Sequence, residues 1–157
     1  MKKILVLLTL MFALSIGTFA QESAINLQAG YSWSEGAIGA GYQYKTLEIK
    51  AGWMPTKMPG SGDAVNGFVA TVIWGPEWDE SGYYVSYAFN SVGYRSEISY
   101  NGGAWGSDVV EGMNILSLGY KAGGDFMYVK ADVGYGWSAS ASGVSWGVVV
   151  GFPIPLY

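Results

Sequence analysis

The chain has 157 residues, with eight basic residues, twelve acidic residues, no Cys and no His. Only 13% of the residues are charged, whereas 24 are Gly, 12 are Tyr and 7 are Trp. The glycines follow no Gly-X-Y period, which excludes collagen, and the frequent aromatics exclude disorder. The net negative charge argues against nucleic acid as a partner and against binding to anionic lipid through a basic patch.

The first element is a predicted secretory signal peptide over residues 1–20. Lys2 and Lys3 precede an apolar stretch over 4–16, and small residues lead to a cleavage site after Ala20. The apolar stretch is too short for a spanning helix. Cleavage would leave 137 residues, 21–157, as one domain with six basic residues against twelve acidic ones and no disulfides.

The exported chain alternates apolar and polar residues with a period of two, which predicts strands. No segment shows a convincing helical period. The predicted strands cover 24–33, 37–44, 47–54, 65–75, 83–89, 113–121, 126–137 and 144–152. About ten residues is the length that a tilted strand needs to cross a bilayer. The pattern therefore predicts an all-β, antiparallel up-and-down transmembrane barrel of about eight strands. A strand count of up to ten stays open on the sequence.

The predicted connections alternate in length along the chain. Short ones fall at 45–46, 75–82 and 122–125, and longer or more variable ones fall at 34–36, 54–64, 90–112 and 138–143. Short periplasmic turns and longer extracellular loops are typical of outer-membrane barrels. Within the longest loop, alternation resumes at Tyr94 and runs to a turn at Asn101-Gly102-Gly103, with a bulge expected near Gly93. Strands five and six are therefore expected to continue as a protruding hairpin.

The apolar faces of the predicted strands are aliphatic in the middle and aromatic at both ends. Such aromatic girdles mark the two interfaces of a membrane protein. The extracellular set includes Tyr31, Trp33, Trp53, Tyr135, Trp137 and Trp146. The periplasmic set includes Tyr42, Tyr44, Trp74, Tyr83, Tyr120 and Phe152.

The opposite faces are rich in Gly, Ser, Asn and Gln and carry a few charges. An eight-stranded barrel has room inside only for side chains or one small ligand. The predicted lumen network consists of Gln28, Gln43, Glu48, Lys50, Lys130 and Asp132, and Lys121 also faces inward. Because buried charges must be paired, we expect these groups to plug the barrel. A gated or leaky polar path is the alternative.

These features resemble the small outer-membrane barrels of the OmpX and OmpA-transmembrane type. The resemblance rests on the signal peptide, the two-residue repeats, the two girdles and the terminal G-F-P-I-P-L-Y over 151–157. It implies a porin-like fold in the outer membrane of a Gram-negative bacterium, contact with outer-membrane lipid, and recognition by the barrel-assembly machinery. It does not imply an activity, since such barrels serve many functions.

Three functions remain open on the sequence. The first is a non-enzymatic barrel that acts structurally or contacts an extracellular or envelope protein through its loops, with Tyr94, Arg95, Tyr100 and Trp105 as candidate contacts. The second is a conduit or binding site for a small molecule, with a hydrophobic one as one option. The third is a soluble lipocalin-like carrier with its apolar face inward. Without His or Cys we expect no catalytic site, and no motif indicates a cofactor or metal.

The C-terminal run contains two prolines, Pro153 and Pro155. They remove two backbone donors from the same flank of a strand, so pairing on both sides is predicted to end near Gly151. Phe152 is in phase with the outward residues before it, whereas Tyr157 is out of phase. We therefore expect a lipid-facing strand through Phe152 followed by a tail that pairs on one side at most.

Overall fold

The computed structural model describes residues 22–57, 64–91, 93–95, 108–110, 112–139 and 142–156. The predicted signal peptide, the turn at 101–103 and Tyr157 lie outside these ranges. Within them, no helix is long and apolar enough to cross a membrane.

Eight antiparallel strands close into a barrel, which confirms the predicted fold. The strands are β1 (Ser23–Ser32), β2 (Ile38–Tyr44), β3 (Leu47–Lys57), β4 (Ala64–Trp74), β5 (Gly82–Asn90), β8 (Met113–Gly123), β9 (Tyr128–Trp137) and β10 (Ser142–Leu156). Two short strands, β6 (Gly93–Arg95) and β7 (Asp108–Val110), form a separate pair between β5 and β8. Neighbours around the ring follow the chain, and β10 pairs with β1 to close it.

Strand alternation sorts the side chains between the two faces of the barrel. Along β5, the odd-numbered residues Tyr83 to Phe89 are exposed and the even-numbered residues Tyr84 to Asn90 are buried. The exposed set is apolar: Trp74 and Tyr83 expose 72% and 76% of their surface. The buried set is largely polar, as expected for a membrane barrel and opposite to a soluble carrier. The lipocalin-like alternative is therefore wrong about the direction of the apolar face.

The two ends of the barrel differ. We call the end with the β1–β2, β3–β4, β5–β8 and β9–β10 connections the hairpin end, because it carries β6 and β7. The opposite end, the termini end, carries the connections at 45–46, 75–81 and 124–127 together with the start of β1 and the end of β10. The base of the predicted protruding hairpin is present as the β6–β7 pair, and in the described residues β5 ends at Asn90 and β6 begins at Gly93.

The last strand behaves as its prolines predict. β10 pairs with β9 only from Ser142 to Gly151, whereas it pairs with β1 from Gly147 to Leu156. The segment after Gly151 is therefore paired on one side. β10 is longer than the predicted 144–152 because that single neighbour holds it as a strand through Leu156.

The interior changes character along the barrel axis. Toward the hairpin end it is filled by a small apolar cluster of Met54, Val69, Ala88 and Ile115. Below this cluster the buried side chains are mainly charged or hydrogen-bonding. These charged side chains form the candidate site.

Candidate functional site

The predicted lumen residues all lie inside the barrel. Their positions follow from alternation, since each occupies the inward-facing parity of its strand. Each exposes less than a tenth of its surface: Gln28, Gln43, Glu48, Lys50, Lys130 and Asp132.

A seventh residue, Glu35, completes the site and was missed from the sequence, which placed it in an external loop. The β1–β2 connection folds into the barrel, where Ser32 Oγ accepts a hydrogen bond from the Glu35 amide at 3.1 Å. Gly36 follows with a φ of +87°, a conformation that glycine adopts without strain. Gly52 lets the turn approach β3, because a Cβ there would lie 2.3 Å from the Glu35 carbonyl oxygen. The sequence signal that could have indicated this inward turn was the acidic residue Glu35 followed directly by Gly36.

Four buried charges meet at the centre of the barrel. Lys50 Nζ lies 2.5 Å from Glu35 Oε2 and 3.2 Å from Glu48 Oε1. Lys130 Nζ, from the other side, lies 2.7 Å from Glu48 Oε2 and 3.4 Å from Glu35 Oε2. Each ammonium therefore contacts both carboxylates. We call Glu35, Glu48, Lys50 and Lys130 the charge cluster.

Side-chain amides from β1 satisfy further polar atoms of the charge cluster. Asn26 donates to Glu48 Oε1 at 2.9 Å, and Lys50 donates to Gln28 Oε1 at 2.5 Å. Gln28 Nε2 in turn donates to the Glu35 backbone carbonyl at 3.1 Å. A buried ion pair is tolerated only when its remaining donors and acceptors are also satisfied, and these amides meet that need.

Asp132 has a different role from the one the sequence suggested. Instead of pairing with a lysine, its carboxylate accepts hydrogen bonds from Ser32 Oγ at 3.1 Å, Ser34 Oγ at 3.2 Å and Tyr84 OH at 3.5 Å. No ion pair of Asp132 occurs among the described residues. The β1–β2 turn carries Glu35 into the barrel, and the Glu35 carboxylate contacts Lys130 where Asp132 was expected to do so. The hydroxyls hold Asp132 and the turn together.

Two tyrosine rings pack around Lys130. Its Nζ lies 5.3 Å from the ring centroids of both Tyr84 and Tyr128. Aromatic faces attract a cation at this distance. The ammonium is therefore held by two carboxylates and two rings, which fixes it near the barrel axis.

The termini end is crossed by its own connection. Gln43 Nε2, on β2, donates to the Pro76 carbonyl at 2.8 Å. Lys121 Nζ, on β8, donates to the carbonyls of Glu77 and Trp78 at 2.8 and 2.6 Å. β2 and β8 lie on opposite sides of the ring. The β4–β5 connection, held from both sides, therefore spans the opening.

Little space remains around the charges. The void bordered by Glu48, Tyr84, Lys121 and Lys130 is about 10 Å³, which is about the smallest space that holds one water. The buried ionisable groups described comprise three acids and three lysines whose formal charges cancel: Glu35, Glu48, Asp132, Lys50, Lys121 and Lys130. No group of three or more acids placed to hold a metal occurs in the described ranges.

The aromatic girdle residues lie on the outer surface with one exception. The exposed members are Tyr31, Trp53, Trp74, Tyr83, Tyr120, Tyr135, Trp137, Trp146 and Phe152, and Tyr42 and Tyr44 are half-buried. Trp33 does not fit its predicted role, because it is half-buried and packs against the interior apolar cluster. β1 ends at Ser32, so alternation no longer sets the direction of the next side chain.

The candidate loop contacts are only partly described. Tyr94 and Arg95 lie on β6, which pairs with β7. Tyr100 and Trp105 lie outside the described residues. The β6–β7 pairing therefore defines the backbone at the base of the hairpin.

Comparisons with known proteins identify a similar fold but no family. No family model and no curated protein matches the sequence. Among solved structures, the N-terminal β-barrel domain of OprF from Pseudomonas aeruginosa is similar, with a TM-score of 0.54 and 15% sequence identity over 85% of this chain and 98% of that one. At this identity the likeness concerns the fold alone. The chain thus has the fold of that domain, a closed eight-stranded antiparallel barrel.

Proposed function

We propose that this chain is a non-enzymatic integral protein of the outer membrane of a Gram-negative bacterium. Its charge-paired lumen is closed, and the barrel displays the β6–β7 hairpin outside the cell. The observation that carries the proposal is the inverted distribution of side chains. Charged residues fill the interior, whereas Trp74, Tyr83 and Val144 expose more than seven-tenths of their surface. An apolar belt of this kind needs lipid to cover it.

The closed lumen is supported by three layers along the axis. The β4–β5 connection spans the termini end. The charge cluster fills the middle with ammonium–carboxylate contacts of 2.5 to 3.4 Å. The apolar cluster lies above it. An ion entering the barrel would have to break buried pairs or cross an apolar constriction, and both are costly.

A surface role is favoured by the placement of the hairpin. β6 and β7 form their own two-stranded sheet outside the barrel ring. Loops positioned by a rigid barrel are common sites of recognition. Tyr94, Arg95, Tyr100 and Trp105 are the proposed contacts with an extracellular or envelope protein.

An enzymatic role has less support. The sequence contains no His or Cys to serve as base or nucleophile. Glu35 and Glu48 are each held by two lysines, so neither is free to exchange a proton with a substrate. Incubation of the purified barrel with outer-membrane lipids, followed by mass spectrometry, should show no new lipid species.

Membrane insertion is tested by the behaviour of residues 21–157. We expect the purified chain to require detergent or lipid, and to migrate differently on a gel before and after heating because the closed barrel resists unfolding. Material that stays monomeric in buffer without detergent would contradict insertion. Deletion of 96–107 should preserve the heat-dependent shift if the hairpin is only a surface element.

Closure is tested by planar-bilayer recording. Wild-type protein should give no discrete conductance steps. Lys130→Ala removes the ammonium that bridges two carboxylates and should give small cation-selective steps, whereas the surface variant Lys45→Ala should remain silent. Reproducible steps from the wild type would show that the barrel conducts and would favour the conduit alternative.

A further inference from the structure

A second feature of the interior lies at the hairpin end, away from the charge cluster. It is a cavity of about 320 Å³ between β8, β9 and β10. Its described lining residues are Trp33, Met113, Ile115, Gly136, Ser142, Gly143, Val144 and Ser145. None of these side chains is ionisable, so the cavity differs in chemistry from the charged interior below it.

Two glycines create the space. Gly136 on β9 and Gly143 on β10 are directly paired, so this part of the wall carries no side chain on either strand. A Cβ added at Gly143 would meet no atom within 4 Å, whereas one at Gly136 would lie 2.8 Å from Met113 Cε. Met113 and Trp33 pack against the apolar cluster and provide two apolar walls.

Two serine hydroxyls border the cavity: Ser142 is exposed, whereas Ser145 is buried among the apolar side chains of the lining. Ser145 is 5% exposed, and its hydroxyl has no hydrogen-bond partner among the described residues. An unpaired buried hydroxyl costs free energy that a ligand or a water can recover. Ser145 borders the cavity directly, so a ligand there could reach the hydroxyl.

We propose that this cavity is a binding site for a small neutral molecule with an apolar body and a single hydrogen-bonding group. Trp33, Met113 and Ile115 would contact the apolar body, and Ser145 would pair with the polar group. A cavity of about 150 Å³ is enough for one benzene ring, so about 320 Å³ suits two fused rings or a chain of equal volume. Among the described lining residues none is ionisable, which disfavours a charged ligand.

The proposal is independent of lumen closure. The cavity lies on the hairpin side of Ile115, a member of the apolar cluster that separates it from the charges. A barrel that conducts no ions can therefore still bind this ligand, and recordings from a planar bilayer do not bear on it.

The test uses 1-naphthol as the probe and the methionine methyl groups as reporters. The chain is labelled at the methionine ¹³C-methyl positions and titrated in detergent micelles. We expect the Met113 signal to shift and saturate, because that methyl group lies beside the cavity wall. Met127, exposed at the termini end, reports nonspecific partitioning into the micelle. Proportional, non-saturating shifts at both residues would overturn the proposal.

Two variants separate the cavity from the micelle. Gly143→Leu fills the space without a clash at Cβ and should abolish the saturable shift, provided that the variant still shows heat-modifiable migration. Ser145→Ala keeps the space and should weaken 1-naphthol binding by roughly three- to tenfold, while leaving naphthalene binding unchanged. Wild-type affinity in Gly143→Leu would overturn the site. Equal losses for both ligands in Ser145→Ala would overturn the hydroxyl contact.

Discussion

At the scale of single residues, the charge cluster has a sharp energetic asymmetry. A buried pair whose partners are all satisfied contributes little net stability, whereas removal of one partner leaves a buried charge uncompensated. Lys130→Met keeps an unbranched side chain that is one atom shorter, but it leaves Glu35 and Glu48 to share Lys50. We expect the free energy of unfolding to fall by about 3–5 kcal/mol, measured by urea titration of the barrel in lipid vesicles.

Lys45→Met is the matched control for this prediction. Lys45 pairs with Glu22 at 3.0 Å, but both side chains are about half exposed. Solvent screens such a pair, so its loss should not shift the urea midpoint measurably. The double variant Lys130→Met, Glu48→Gln should recover part of the lost stability, because it restores charge balance. Equal midpoints for Lys130→Met and Lys45→Met would mean that the cluster is solvated.

Glycine at position 52 is required by a close approach. A Cβ there would lie 2.3 Å from the Glu35 carbonyl oxygen, so Gly52→Ala should push the turn out of the barrel. We expect a loss of about 1–3 kcal/mol, as for other overpacked interiors. Gly143→Ala, whose Cβ meets nothing within 4 Å, carries the same change in chain entropy without the clash. Urea titrations that give both variants the same stability would contradict the role of Gly52.

At the scale of elements, β10 shows how two prolines end a sheet. Pro153 and Pro155 lie opposite Asn26 and Ala24 of β1, beyond the last residue that pairs with β9. Because alternate residues donate to opposite neighbours, the missing donors should face away from β1. In the double variant Pro153→Ala, Pro155→Ala, the two new amides should exchange with deuterium within minutes by nuclear magnetic resonance, while the Ile154 amide stays protected.

The reverse exchange pattern is equally informative. Protection of the new amide at position 153 together with fast exchange at Ile154 would place the prolines on the β1 flank. It would also contradict the explanation of why β9 pairing stops at Gly151. The exchange rate of the Ile154 amide in the wild type serves as the reference, since the substitutions should not alter its pairing with Ile25 of β1.

Sequence reasoning succeeded where alternation decides the structure. The inward placement of Lys50 and Lys130, and the outward placement of Trp74, follow from parity once a strand exists. It failed where a strand ends, because Trp33 and Glu35 lie in a connection whose direction depends on Gly36 and Gly52. No period encodes a turn that folds inward. The partners of Asp132 were missed for the same reason, since Ser34 and Glu35 arrive on that turn.

At the scale of the whole molecule, the charge cluster depends on closure of the ring. Glu48 and Lys130 are 82 residues apart in the chain, and Glu35 and Lys130 are 95 apart. Their strands are not neighbours, since β3 pairs with β2 and β4 whereas β9 pairs with β8 and β10. Contacts of such long range cannot form before the strands between them are in place. The charge cluster should therefore be among the last interactions made in folding and should mainly resist unfolding.

This order of events predicts a kinetic signature for Lys130→Met. A residue whose contacts are absent from the transition state changes the unfolding rate and leaves the folding rate nearly unaltered. A loss of about 3–5 kcal/mol should then appear as an increase in the unfolding rate of roughly a hundredfold or more. Folding into lipid vesicles should stay within about twofold of the wild-type rate. A slower folding rate with unchanged unfolding would mean instead that the charges meet before the barrel closes and help to assemble it.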